Sequence, residues 1–223
     1  MDLKYLFYST FIIEDRYMFF LRGLGSTLLL TFASFILGIV FAVLLCAAQR
    51  SDNPALRNFA NAISRFLVEI PTVVLLMVFV YVIFGSSALP LMLIVIVGLT
   101  LKAGAYLAAI FNSALDTVNP GEIEAARTLG MSRFEAFRYV SLPQAAAAAL
   151  PLCQNQFIAT MQESSVVGYL AVMDMTRAAS IVASRTMNAL FGLIVVSVAY
   201  LLIGAIVKAL MAKLIKKRGA LSI

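Results

Sequence analysis

An all-α membrane protein with five transmembrane helices is what this sequence predicts, and three observations predict it. The 223 residues are 62% hydrophobic and only 13% charged, about half the charged fraction of an average soluble domain. A chain of this size cannot enclose so much apolar surface in a soluble core. Its apolar residues form charge-free stretches long enough to cross a hydrocarbon core of about 30 Å. Its basic residues, which leave a net charge of +6, fall between and after those stretches. That is the distribution of membrane topology rather than of a nucleic-acid patch.

Taken in order, residues 1–22 interleave Tyr5, Phe7, Tyr8, Phe11, Tyr17, Phe19 and Phe20 with Lys4, Glu14, Asp15, Arg16 and Arg22. Aromatics among charges suit a segment lying at the membrane interface. Trp is absent, so Tyr and Phe carry any aromatic belt. No cleavable signal peptide is expected. The apolar region, 23–213, divides into spans at about 23–49, 69–85, 90–114, 147–171 and 188–210. Gly23–Gln49 holds no charge, and Ile70–Leu101 is too long for one span. Gly85-Ser86-Ser87 followed by Pro90 divides the second stretch, and Pro71 is expected at a helix N-terminus. Asn112, Ser113, Asp116, Asn119 and Pro120 mark an exit into water. A basic tail occupies 214–223.

Counting Lys and Arg gives Arg50, Arg57 and Arg65 in one connection and Arg127, Arg133 and Arg138 in another, with Lys208, Lys213, Lys216, Lys217 and Arg218 at the end. All three groups lie on one side if the N-terminus is outside and the C-terminus in the cytoplasm. Segment 122–143 is then cytoplasmic.

That segment, EIEAARTLGMSRFEAFRYVSLP, is the longest charged stretch in the chain. Gly130 is a natural helix break, because glycine reaches the positive φ that ends a helix. Ser132 with Glu135 three residues on forms a plausible capping box, and Pro143 is expected to stop the second helix. The result is two short helices with a small-residue face of Ala125, Ala126 and Gly130. Such a knob suits docking of a soluble partner; an ordinary connecting loop is the alternative.

The segment also resembles the EAA loop of ATP-binding-cassette importer permeases. That pattern is Glu-Ala-Ala, three residues, Gly, nine residues, an aliphatic, one residue, Leu-Pro. Here it reads Glu124-Ala125-Ala126, Gly130, Val140 and Leu142-Pro143. The resemblance runs through nearly the whole chain: Gly25 to Gly38, Ala105–Phe111, Leu142–Ala145, Leu150-Pro151, Asn155 and Glu163–Ser180 look like the polar amino-acid permeases of the histidine/glutamine/glutamate type. It implies the type I importer permease fold, in a bacterial cytoplasmic (inner) membrane, paired as a homodimer or heterodimer with a second permease subunit. It further implies a cytoplasmic ATPase dimer docked through Glu124, Ala125, Ala126, Arg127, Gly130, Leu142 and Pro143, and an extracytoplasmic substrate-binding protein. The sequence departs from the family at Val68 and Glu69, at Ala109 and Asn112, at Ala146, and at Gln162-Glu163, all in the translocation half.

Polar groups at membrane depth face a bundle interior or a water-filled path. Lys102 lies mid-span in the third helix. Glu163, Ser164 and Ser165 lie in an unusually polar fourth span with Asn155. A substrate path would use Lys102 for a carboxylate, Glu163 for an ammonium and the serines for neutral hydrogen bonds. A buried Lys–Glu pair, or Lys102 snorkelling to a headgroup, are the other readings. Glu69 is expected to be solvated near the end of its span. Asp174 and Arg177 face the binding protein or pair with each other three residues apart.

No GxxxxGK[ST] motif occurs, so ATP and Mg belong to a partner ATPase and no cofactor is expected in this chain. His is absent, which leaves no metal constellation; Cys46 and Cys153 read as buried small side chains. A secondary transporter or channel subunit would also explain Lys102 and Glu163 but not the EAA pattern, and no inverted repeat is evident. An intramembrane enzyme lacks a nucleophile–base pair.

Overall fold

The computed structural model describes residues 3–219, with side chains described through Leu210 and at Ala212 and Lys213; the side chains of the basic tail expected at 214–223 lie outside the described residues. All regular structure there is helical. Short helical pieces Leu3–Phe7, Tyr8–Ile12 and Ile13–Asp15 precede α1 (Tyr17–Gln49). Then come α2 (Pro54–Glu69), α3 (Thr72–Ile83), α4 (Leu91–Asp116), α5 (Pro120–Thr128), α6 (Arg133–Leu170), α7 (Met175–Thr186) and α8 (Ala189–Gly219).

The sequence starts several of these helices with the same device. Asn53 Oδ1 accepts from the Ala55 N–H at 3.0 Å, and Asn119 Oδ1 from the Gly121 N–H at 2.9 Å. In each case proline follows the cap, where its missing N–H costs nothing. Asp174 caps α7 by accepting from the Arg177 N–H at 2.7 Å. The Asp174–Arg177 side-chain pair is therefore replaced by a side-chain-to-backbone cap, and Asp174 is fully buried.

α1, α4 and α8 are long and apolar enough to cross a membrane, the last over Ala189–Leu210. Two bent pairs also pass that test as broken spans: α2 with α3, bent by 107°, and α6 with α7, bent by 45°. The 69–85 stretch therefore departs from a single straight helix. Its α3 portion begins only at Thr72, after an extended Ile70-Pro71 joint, and covers about 18 Å at 1.5 Å per residue. Residues 1–22 also divide. Tyr17–Arg22 belong to α1, and Glu14 and Asp15 take positive φ at the break before it. Arg16, buried there, donates to the Ser9 carbonyl at 2.7 Å and pairs with Glu14, which also pairs with Arg185 of α7.

Pro143 does not stop a helix. A wide turn over Phe137–Ser141 is followed directly by the long α-helical part of α6, Leu142–Glu163, with Pro143 in its first turn and Pro151 inside it. Changing the hydrogen-bond spacing just before the proline accommodates its missing donor.

The core is the α1–α4 contact. Ala42, Ala105, Leu107 and Ala108, all fully buried, lie in one cluster with Leu45, Leu75 and Phe157. The backbones approach closely at Gly38 and Gly104. A Cβ on Gly104 would lie 2.6 Å from Phe41 Cδ1 and 2.9 Å from the Gly38 carbonyl oxygen. Small residues at such crossings let apolar helices pack where burial alone gives no drive. Gly104→Val is expected to cost about 1–3 kcal/mol by overpacking, read as a lower thermal unfolding midpoint of the detergent-solubilised protein. An unchanged midpoint would show that the crossing can open.

Candidate functional sites

Two groups of residues stand out, at opposite ends of the long helix α6. The first is the knob formed by α5 and the start of α6. α5 ends in a paired closure: the Met131 N–H reaches the Ala126 carbonyl at 3.2 Å and the Gly130 N–H reaches Arg127 at 3.0 Å. This is the Schellman arrangement, and it requires the left-handed residue between, Gly130 at φ +94°. Ser132 then starts α6 with a reciprocal capping box: its hydroxyl accepts from the Glu135 N–H at 3.2 Å, and its own N–H donates to Glu135 Oε2 at 2.8 Å.

Glu124, Ala125, Arg127 and Gly130 are exposed, as are Leu142 and Pro143, but Ala126 is buried. The small-residue face is therefore split: Ala126 is buried, as is Ala136 on the next helix, while Ala125 and Gly130 are exposed. Leu129, Phe134 and Tyr139 project alongside them, with 84%, 66% and 64% of their surface exposed. These three apolar groups escaped the sequence reading because they fall between the charges that drew attention to the segment.

Just before the knob in the chain, the end of α4 is tied to the end of α1 by residues whose sequence signal was their place at the membrane boundary. Arg50, at the end of α1, donates from Nε to Asn112 Oδ1 at 2.8 Å and from Nη2 to the Asn112 carbonyl at 2.9 Å, and pairs with Asp116. Asn112 Nδ2 in turn donates to Gln49 Oε1 at 2.7 Å. On the knob itself, Gln144 donates to Glu122 at 2.5 Å. Asn112 and Asp116 are four apart, one face of a helix. Facing an Arg that ends another helix, that spacing was the available signal.

Ser132→Ala should loosen this knob. Losing a helix cap is worth about 1 kcal/mol, so amide exchange at Glu135 should quicken about five-fold. The Ser132 N–H, with the hydroxyl adding to it, holds the exposed Glu135 carboxyl below its usual value. A lowered folded-state pKa contributes stability above the unfolded value, which is lost as pH falls through the folded one. The share of this protection that the Glu135 carboxylate supplies should therefore be full at neutral pH and fade as pH falls below about 4.5, in Ser132→Ala as in wild type, because the residue-132 N–H remains in both.

The second group surrounds Glu163, where the α-helical part of α6 gives way to the tighter turns of Ser164–Leu170. Glu163 is half-buried, and its polar neighbours are the Lys102 ammonium and the Thr72 hydroxyl. Ser165 is half-buried beside it, but Ser164 is fully buried and donates to the Met161 carbonyl at 2.8 Å. Asn155 lies two turns earlier on an exposed surface of α6. Lys102 is only 3% exposed and donates to the Ile70 carbonyl. Tyr106, one turn further along α4, donates to the Val68 carbonyl at 3.3 Å. Both groups thus serve the α2–α3 joint, and Lys102 is absent from the three ion pairs among the described residues. Glu69 is exposed, as expected. No three His, Cys, Asp or Glu side chains come together as a metal site among the described residues.

Residues 34–219 match the family model described as the binding-protein-dependent transport system inner membrane component. The chain belongs to that family. Among curated proteins it is 31% identical over 184 residues to a probable amino-acid permease of Bacillus subtilis, covering 81% of this chain and 82% of the relative. It is 28% identical over 222 residues to a putative glutamine transport system permease of Rickettsia typhi, covering 97% and 98%. Among solved structures, an amino acid ABC transporter crystallised with histidines superposes with a TM-score of 0.85 at 28% identity, covering 93% of this chain and 98% of that one. The MetNI methionine ABC transporter in an inward-facing form gives 0.76 at 25% identity, covering 92% and 98%. The resemblance drawn from the EAA loop thus holds across the chain, and the protein is an ABC importer permease subunit.

Proposed function

We propose that this permease carries a polar amino acid through the bacterial cytoplasmic membrane, driven by a separate ATPase that docks on the 122–143 knob. One observation carries the reading: α6 is a single helical element with the knob at one end and Glu163 at the other. From Arg133 to Glu163 it spans about 45 Å at 1.5 Å per residue, more than a hydrocarbon core. A push on the knob is therefore delivered mechanically to the polar group at the far end.

In this reading five spans cross the membrane, with the two bent pairs as broken spans, the N-terminus outside and the C-terminus inside. Two permease subunits, identical or not, enclose the path. A cytoplasmic ATPase dimer holds ATP and Mg, and its closure draws the two knobs together; an extracytoplasmic binding protein delivers the substrate. Glu124, Ala125, Arg127, Gly130, Leu142 and Pro143 meet the ATPase. Ala126 supports them from beneath. Glu163 receives the substrate ammonium, Ser165 adds a neutral hydrogen bond, and Asn155 lines the path nearer the knob. Ser164 shapes the turn after Glu163, and Lys102 acts from behind. The transition is a rigid-body rocking biased by ATP. Amino-acid relatives along nearly the full length support the substrate class.

Reconstitution tests the proposal. Purified with its co-captured ATPase and placed in proteoliposomes, the permease should hydrolyse ATP faster when a loaded binding protein is added, and should accumulate amino acid only with ATP. Uptake that proceeds without ATP would favour a channel or secondary transporter.

A further inference from the structure

We propose that Lys102 is a specificity-determining residue that sets the charge preference of the Glu163 site without touching the substrate. The inference rests on the reading of Glu163 as part of the substrate path. Its grounds are the surroundings of the two charges.

The α2–α3 joint leaves carbonyls without helical partners at the end of α2, and Pro71 offers no N–H to continue the chain's hydrogen bonding. α4 supplies donors to that joint. Lys102 Nζ takes the Ile70 carbonyl, and Tyr106 Oη takes Val68, at 3.3 Å. The two donors are one turn apart, so they share a face of α4. If satisfying carbonyls were the whole task, a neutral donor such as Tyr106 would suffice. Lys102 adds a buried charge, and burying one is expensive unless something offsets it.

The offsetting group is Glu163. It is the acidic side chain near enough to act on both the Lys102 ammonium and Thr72, and the turns that follow it, Ser164–Leu170, pack against the start of α3. The two charges form no direct ion pair among the described residues. Glu163, half-buried, has the exposure to meet a ligand; Lys102, at 3%, does not. The ligand therefore meets a carboxylate whose charge is offset from behind. Such a site favours a zwitterion with an uncharged side chain over one carrying an additional positive charge. Removing the positive charge leaves Glu163 alone, and a cationic substrate gains. Removing the negative charge unmasks Lys102, and an anionic substrate gains. This assigns the carboxylate-receiving role expected of Lys102 to other groups and makes Lys102 a tuning charge.

The test measures direct binding of L-arginine, L-glutamine and L-glutamate to the intact permease–ATPase complex in nanodiscs by calorimetry. The binding protein is omitted so that its own selectivity does not intervene. Lys102→Gln retains an N–H donor for Ile70 while removing the charge; it should raise the arginine-to-glutamine affinity ratio about ten-fold, as expected for one nearby charge at intermediate dielectric. Lys102→Arg should restore the wild-type ratio. Tyr106→Phe, which loosens the joint without changing charge, should leave it unaltered. Glu163→Gln provides an arm that does not require the Lys102 variants to fold: it should raise glutamate relative to glutamine. The proposal is overturned if the ratios stay at wild-type values in both Lys102→Gln and Glu163→Gln while glutamine binding itself weakens in the latter. If glutamine binding is indifferent to Glu163, or wild type binds none of the three probes, the substrate-path reading falls and the inference with it.

Discussion

Gly130→Val is expected to abolish most coupling between this permease and its ATPase while leaving the membrane bundle intact. The reason is conformational. Nothing lies within 4 Å of a Cβ built on Gly130, so a larger side chain collides with no neighbour. The backbone, however, sits at φ +94°, a region that a β-branched residue enters only at a cost of about 1–3 kcal/mol. Relief of that strain must open the Schellman closure, which holds α5 at its angle to α6 through Met131 and Gly130. The exposed side chains on the two helices then lose their relative geometry. Co-purified ATPase should fall by about ten-fold, the factor that 1.4 kcal/mol gives, while detergent extraction and the thermal midpoint of the permease stay unchanged. Glu124→Lys should weaken docking by a separate route, since Glu124 is exposed and its reversal alters the surface without altering the backbone. Wild-type recovery of ATPase with Gly130→Val would remove the knob from the docking proposal.

The knob was legible in the sequence because its signals are local. The glycine at a left-handed position and the Ser-x-x-Glu cap each depend on a few adjacent residues, and both have the predicted geometry. Pro143 was misread for the converse reason. A proline stops a helix only if the preceding turn cannot change its hydrogen-bond spacing, and Phe137–Ser141 can. The region around Glu163 was less legible because its geometry is set across long sequence separations. The residue types were readable at Lys102 and Glu163, but the partner of Lys102 is a backbone carbonyl 32 residues away. Side-chain identity carries no trace of such a contact. Ser164 and Ser165 show the same limit in miniature: adjacent in sequence, they differ in exposure because the helix tightens between Glu163 and Leu170 and turns one inward. The Arg50–Asn112–Asp116 tether was hidden in another way. Each residue had a sufficient explanation as a membrane-boundary marker, and only the folded chain brings α1 and α4 together there.

Glu163→Gln is expected to reduce the amino-acid-dependent part of ATP hydrolysis about ten- to a hundred-fold, with the complex still assembled. A hydrogen bond to a charged group contributes about 1.5–3 kcal/mol, and a glutamine retains the shape and part of the hydrogen bonding while losing the charge. Assembly should survive because Glu163 is half-buried rather than enclosed, and because Lys102 keeps the Ile70 carbonyl as its hydrogen-bond partner in the variant. The diagnostic readout is the separation of two rates. Basal hydrolysis, which in the proposed docking depends on the knob, should remain within about two-fold of wild type, whereas stimulation by loaded binding protein should be largely lost. Gly130→Val should produce the opposite pattern: little ATPase captured and so little basal rate. Because α6 carries both sites on one helical element, the two lesions should also combine predictably. The double variant should be no worse in ATPase capture than Gly130→Val alone, since in the proposed path Glu163 acts only after docking. A further loss of capture in the double variant would mean that Glu163 stabilises the knob end of α6, and its role would then be structural rather than in the path.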